Sequence, residues 1–150
     1  MSKMKVFCFG FGQVAKYFIK KILKEKIALE LNVTSRKNTH NLTFEGLDMN
    51  SFEFNNKKID KNIDTKVQDA DFVLVSIPPV EDEDIVLKNF KEILKKSKPK
   101  WITYLSATSV YGNHDGEWVN EESETKPTST SGIKRLKAET QWLKFSYDNN

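Results

Sequence analysis

Residues 7 to 18 read FCFGFGQVAKYF, and the interpretation of this stretch decides the fold. Val6 to Phe9 is a short apolar run that breaks at Gly10 and Gly12. Val14, Ala15, Phe18, Ile19, Ile22 and Leu23 then recur at helical spacing, so the stretch predicts strand, glycine turn and helix. Gly10, Gly12 and Ala15 stand in the order Gly-x-Gly-x-x-Ala. In that order the first glycine permits a tight turn, the second lets a pyrophosphate approach the backbone, and the small third residue lets helix and strand pack closely. The N-terminus of the following helix adds unpaired N–H groups and the positive end of the peptide dipoles. Gly10, Gly12, Gln13 and Val14 are therefore candidates to hold a dinucleotide, although two glycines in such a turn also suit turn geometry alone.

Working outward, ALELNVTSR (Ala28 to Arg36) predicts a second strand, and LTFEGLD (Leu42 to Asp48) a weaker third. Asn50 to Lys66 shows no assignable period. Phe72 to Ile77, within ADFVLVSIPP, is apolar almost without alternation, as a central parallel strand covered on both faces would be. EDEDIVLKNFKEILKKSKP begins acidic and ends basic, with an apolar stripe at Ile85, Val86, Phe90, Ile93 and Leu94; it predicts a helix whose first turn holds Glu81 to Asp84. KWITYLSATSVYG gives another strand and a Ser/Thr-rich turn, followed by a long polar loop. GIKRLKAETQWLKFSY restores helical spacing through Ile133, Leu136, Thr140 and Leu143 and ends near Tyr147. Alternation of this kind predicts an α/β fold with a doubly wound parallel sheet of about five strands, and the glycine turn in its first βα unit makes a Rossmann-type NAD(P)-binding fold the expected form.

The chain has 150 residues, which fits one domain spanning 1–150. Apolar residues at 38%, with 10 Phe and 3 Trp, provide for a core, while the mean hydropathy of -0.57 reflects a heavily charged exterior. The net charge of +3 comes from lysines spread along the chain and only two arginines, so nucleic acid is not an expected partner. No segment approaches the roughly 20 apolar residues of a membrane span, no signal-peptide cleavage site follows the first apolar run, and a cytoplasmic location is expected. The single cysteine, Cys8, lies inside the first apolar run and reads as a buried small hydrophobe.

The end of the second strand is where an NAD-preferring site usually carries an acid for the ribose hydroxyls. Here the residues are Thr34, Ser35, Arg36 and Lys37. A hydroxyl beside a guanidinium suits a 2′-phosphate, so Ser35 and Arg36 point to NADP (or NAD) as cofactor, with a solvated basic loop as the alternative. Ser76, Ile77 and Pro78, with Pro79, follow the central strand at the expected topological switch point and are candidates to line the cofactor or to start the next helix. Asp48 is placed to face an adenine amino group or to serve as an acidic turn residue. His40 and His114 sit in polar loops without cysteines or clustered acids, and no metal site is expected.

With GFGQVA, SIPP and LSATSVYGNHDGEWVNEES…KPTSTSGIKRLKAE on the page, the chain resembles the atypical and extended short-chain dehydrogenase/reductases, the NAD-dependent epimerase/dehydratase type, over nearly all its length. The resemblance implies descent from an NAD(P)-dependent oxidoreductase or nucleotide-sugar epimerase/dehydratase, with a hydroxyl residue, a tyrosine and a lysine as its catalytic groups. Those positions fall on Ala107, Ser131 and Arg135. A serine hydroxyl is far less acidic than a phenol and a guanidinium does not give up its proton, so no catalytic residue is assigned and enzyme activity is left open. The resemblance also implies that the chain is truncated after its amino-terminal Rossmann portion, lacking a carboxyl-terminal substrate domain. Its last strand would then be an exposed apolar edge, with possible self-association. The substrate is not legible. A non-catalytic dinucleotide-sensing or partner-binding module, or the remnant of a split gene, is the alternative.

Overall fold

A computed structural model describes residues 3–37, 42–80 and 82–149. Its strands are β1 (Met4–Phe9), β2 (Leu29–Ser35), β3 (Leu42–Phe44), β4 (Leu47–Glu53), β5 (Phe72–Val75) and β6 (Trp101–Tyr104). The helices are α1 (Gln13–Lys24), α2 (Ile63–Gln68), α3 (Ile85–Ser97) and α4 (Thr130–Asn149), with a 3-10 turn at Thr108–Val110. One six-stranded sheet runs in the order β3-β4-β2-β1-β5-β6. Every neighbouring pair is parallel except β3 with β4.

The doubly wound α/β architecture is the one the alternation predicted, with one strand more. The extra strand arises because Leu42 to Asp48 is a hairpin: Glu45 (φ 51°) and Gly46 (φ 78°) both take positive φ, which reverses the chain in two residues. β4 then continues from Met49, which is buried, into the stretch that showed no period, where Ser51 and Phe52 are buried. The end of the same stretch begins α2, whose Ile63 and Val67 turn inward at i, i+4.

β1 explains why its sequence is apolar throughout. Phe7 and Phe9 enter the cluster beneath α2, α3 and α4, while Val6 and Cys8 enter the one beneath α1, with Ala15 and Ile19. Each fully buried phenylalanine contributes about 2 to 3 kcal/mol of transfer free energy. Phe9 also meets Phe90 at 5.0 Å between ring centres, tying β1 to α3. Burial pushes the Cys8 thiol up to about 12, so it packs as a neutral hydrophobe.

Two expectations for the helices need correction. The acidic run is not the first turn of α3: Glu83 precedes the helix and Asp84 is its N-cap, accepting from Val86 N (3.0 Å) and Leu87 N (2.9 Å). Glu81 lies outside the described residues. In α4 the buried positions are Gly132, Ala138, Trp142 and Phe145, whereas Ile133 and Leu143 are exposed. The aliphatic spacing misled because the two large aromatics, one turn apart, outweigh it. Trp142 stacks on Tyr104 of β6 at 5.9 Å, which fixes the face that α4 presents to the sheet. β6 pairs only with β5 and forms one edge of the sheet, with Trp101 partly exposed.

Candidate functional site

Chain order reverses between β1 and β5: β2 and β4 lie on one side of β1, β5 and β6 on the other. Such a switch point opens a crevice at the carboxyl ends of the strands. Here the crevice is a cleft of about 1050 Å³ between the start of α1, the ends of β1, β2 and β5, and the start of α4.

Its floor is the turn after β1. The Gly10 amide donates to Thr34 Oγ1 at 2.8 Å, joining the turn to β2. From the other side the Ser76 hydroxyl reaches the carbonyl oxygens of Phe9 (3.1 Å) and Gly10 (3.2 Å), joining it to β5. Gly10 has φ +85°, and a Cβ there would stand 2.6 Å from Ile77 Cγ2 and 2.8 Å from Ser76 Oγ. The chain therefore requires glycine at this position.

Gly12 is different. Its φ of -82° suits any residue, and a Cβ there would meet nothing within 4 Å. It is the N-cap of α1 and supplies no side-chain acceptor, so no capping side chain satisfies the first amides of the helix. No acid occupies the first turn of α1.

Gly10, Gly12, Gln13, Val14, Ser35, Arg36, Ser76, Ile77 and Pro78 all line this one cleft. Pro79 does not. At the β2 end, the Ser35 hydroxyl donates to the carbonyl of Lys37 and accepts from Ser51 Oγ at 3.2 Å. Asn55 Nδ2 donates to the Arg36 carbonyl at 2.9 Å, while Asn55 Oδ1 accepts from the amides of Lys57 and Lys58. The loop after β4 thus organises the backbone that carries Arg36. Phe11 and Phe44 meet edge to face at 5.2 Å on the same side, with Lys16 Nζ 5.9 Å from the Phe11 ring centre.

Sequence reasoning missed Lys16, Phe44, Asn55 and Asn56, which also line the cleft. Phe44 and the asparagines come from the hairpin and the aperiodic stretch, where only the fold brings them to the site. Asp48 is not among the lining residues; exposed on β4, it accepts from Thr43 Oγ1 at 3.3 Å. His114 lies near Glu124 O at 3.1 Å, and His40 is outside the described residues. Among the described residues no group of three or more His, Cys, Asp or Glu stands ready for a metal.

At the far end, beyond β5, Leu105, Ser106 and Arg135 close the cleft. Arg135 Nη1 donates to the Leu105 carbonyl at 2.9 Å and to Tyr104 Oη at 3.1 Å, and the guanidinium lies 5.6 Å from the Tyr104 ring centre. Burial raises the Tyr104 phenol above its ordinary pKa, against the smaller lowering by Arg135. Ala107 and Ser131 are both exposed and do not line the cleft, whereas Ser106 does and donates to Glu139 Oε2 at 3.2 Å. None of the four tyrosines lines it. Among the described residues that line the cleft, the charged side chains are Lys16, Arg36 and Arg135, with no carboxylate.

The strand order and the glycine turn decide the architecture. The fold is Rossmann-type. No protein-family model matches the sequence, and no curated protein matches it at a significant level. Solved structures share the fold. A functionally unknown conserved protein from Silicibacter pomeroyi is 24% identical with a TM-score of 0.73, over 93% of this chain and 48% of that one. A UDP-glucuronic acid 4-epimerase from Bacillus cereus, solved with NAD, is 18% identical with a TM-score of 0.74, over 97% of this chain and 53% of that one. A UDP-N-acetylglucosamine 4-epimerase from Methanobrevibacter ruminantium, solved with UDP-N-acetylmuramic acid, is 15% identical with a TM-score of 0.73, over 99% and 52%. The chain thus spans about half the length of the structures it resembles. No described helix is long and apolar enough to cross a membrane.

Proposed function

We propose that this chain is the dinucleotide-binding portion of a short-chain dehydrogenase/reductase of the epimerase/dehydratase type, and that it takes NADP in preference to NAD. The observation that carries the reading is Gly12, a glycine that neither backbone angle nor neighbouring atoms require. A group pressed against the helix N-terminus would require it, and a pyrophosphate is the anion such a turn accepts. In this reading the amides from Gly12 to Val14 hold the pyrophosphate. Arg36, on backbone ordered by Asn55, pairs with the 2′-phosphate, and Ser76, Ile77 and Pro78 line the path across the sheet. Among the described lining residues there is no carboxylate, which supports an anionic ligand and leaves the ribose hydroxyls of NAD without their usual partner there.

A bound nicotinamide supplies hydride transfer. This chain supplies binding and orientation; Ala107, Ser131 and Arg135 offer no phenol or neutral amine for proton transfer, so no catalytic residue is assigned. Nucleotide sugars, which stand in the enzyme names of two of the similar structures and as the bound ligand of one, are the substrate class that accompanies the reading. Calorimetric titration with NADPH and NADH tests it. Saturable binding, tighter for NADPH, is expected, and no saturable binding of either would sink the proposal.

A further inference from the structure

Two surfaces outside the cleft each carry an exposed aromatic ring among charges of one sign. The first is the loop between the 3-10 turn and α4. Its base is clamped: the Lys126 amide donates to the Tyr111 carbonyl at 3.3 Å, and His114 Nε2 stands 3.1 Å from the Glu124 carbonyl oxygen. A Cβ at Gly112 would stand 2.0 Å from the Lys126 carbonyl oxygen, so the two ends of the loop touch there. Asp115 (φ 53°) and Gly116 (φ 85°) then reverse the chain, and further on the Asn120 side chain accepts from the Glu122 amide at 3.0 Å. Between these two turns Trp118 is 100% exposed, so the ordered backbone holds its indole away from the rest of its own chain. Around it stand Asp115, Glu117, Glu121, Glu122 and Glu124, all exposed, with no lysine or arginine between Gly112 and Lys126. Among the described residues none of these acids is in an ion pair.

The second surface is the outer face of α1. Ala15 and Ile19 turn inward, and Tyr17 is 63% exposed. Lys20, Lys21 and Lys24 follow Tyr17 at i+3, i+4 and i+7 and share its exposed face. Lys21 Nζ lies 5.4 Å from the Tyr17 ring centre. No acid occurs in α1. Lys20 pairs with Glu45 at 2.8 Å, whereas Lys21 and Lys24 are in no ion pair among the described residues.

We propose that the Trp118 loop of one copy of this chain docks on the outer face of α1 of a second copy, with the indole against Tyr17 and the loop acids against Lys21 and Lys24. Charge complementarity selects this occupant: each surface has the sign that the other lacks, and the same molecule brings both in equal amount. An exposed ring at the centre of each supplies an aromatic anchor of the kind that dominates protein interfaces. The two surfaces differ, so the contact is heterologous and leaves each pair with one loop and one helix face still open. A helix face of 12 residues is about 18 Å long, which places the contact in the small, transient class. The proposal is independent of the dinucleotide reading, because Tyr17, Lys21, Lys24 and Trp118 do not line the cleft.

The test is sedimentation velocity of the full chain over a concentration series reaching about 1 mM, where contacts of this class are populated. Wild type should associate in about 0.05 M salt and do so at least about tenfold more weakly in about 0.5 M salt, because exposed pairs are screened. Self-pairing along the apolar edge of β6 would resist salt or be strengthened by it. Trp118→Ser removes a side chain without contacts in its own chain and should weaken association at least about tenfold. Lys21→Glu with Lys24→Glu, and separately Glu117→Lys with Glu121→Lys, should each leave a monomer. An equal mixture of these two variants should associate again, since every loop then finds a helix face of opposite sign. Trp118→Ser reads the contact even where a charge reversal unfolds the chain. A wild type that stays monomeric, association that resists salt or survives Trp118→Ser, charge-reversed variants that associate like wild type, or a mixture that stays monomeric overturns the proposal.

Discussion

Trp142 Nε1 donates to Asp84 Oδ2 at 3.0 Å, joining α4 to the N-terminus of α3 across 58 residues of sequence. Both side chains are almost fully buried. The other oxygen of the same carboxylate caps α3, so one side chain ends one helix and anchors another. Replacing Asp84 by alanine strands three donors at once and should cost about 2 to 4 kcal/mol. Asp84→Asn retains an acceptor and should cost about 1 kcal/mol. Urea unfolding of the two variants checks the order, and equal losses would show that the one acceptor Asn retains contributes nothing.

The two glycines of the turn separate stability from binding. Gly10→Ala forces a residue with φ +85° against Ile77 and Ser76 and should destabilise by about 1 to 3 kcal/mol. Gly12→Ala fits the backbone and should leave stability unchanged or raise it by up to about 1 kcal/mol. NADPH binding should nevertheless be lost in Gly12→Ala. Thermal unfolding and calorimetry on the same samples give both readings, and a Gly12→Ala protein that binds NADPH normally would contradict the cradle.

Arg36 is expected to discriminate between cofactors. Arg36→Ala should weaken NADPH by about tenfold or more while changing NADH little, since the bidentate phosphate contact exists only for the former. A parallel titration with both nucleotides measures the ratio. A uniform loss for both would assign Arg36 to structure rather than selectivity.

Cys8 makes stability fall at high pH. Burial lifts its thiol from 9.0 to about 12, so between these values the unfolded chain has released the proton and the folded chain has not. The folded state then binds more protons, and stability declines with rising pH by up to about 1.4 kcal/mol per unit. Lysines titrate in the same range, so the contribution is read as the difference between wild type and Cys8→Ala. The native thiol should also react with an aromatic disulfide only at the rate of unfolding. Rapid labelling at neutral pH would show that the cluster around Cys8 opens.

Much of this molecule was legible as pattern. Strand, glycine turn and helix from Val6 to Leu23 follow from spacing because β1 is covered on both faces and α1 on one, and each requirement leaves its own period in the chain. The central position of Phe72 to Val75 was readable for the same reason. The hairpin at Glu45 and Gly46 and helix α2 were not: short elements with mixed burial carry too few residues to show a period. The face of α4 was misread because the aliphatic stripe at Ile133 and Leu143 faces out while Trp142, tied to Asp84, faces in.

The site divides in the same way. Backbone requirements travel with local sequence, so Gly10, Gly12, Ser35, Arg36 and Ser76 to Pro78 could be named from their places after strands, which open to one end of a parallel sheet. Side-chain company does not travel with local sequence. That Thr34 and Ser76 hold the turn from both sides, that Asn55 orders the backbone of Arg36, and that Arg135 closes the far end beside Tyr104 all depend on segments dozens of residues apart meeting across the sheet. Strand order and helix packing set those meetings, because only burial of both faces of the sheet brings them about.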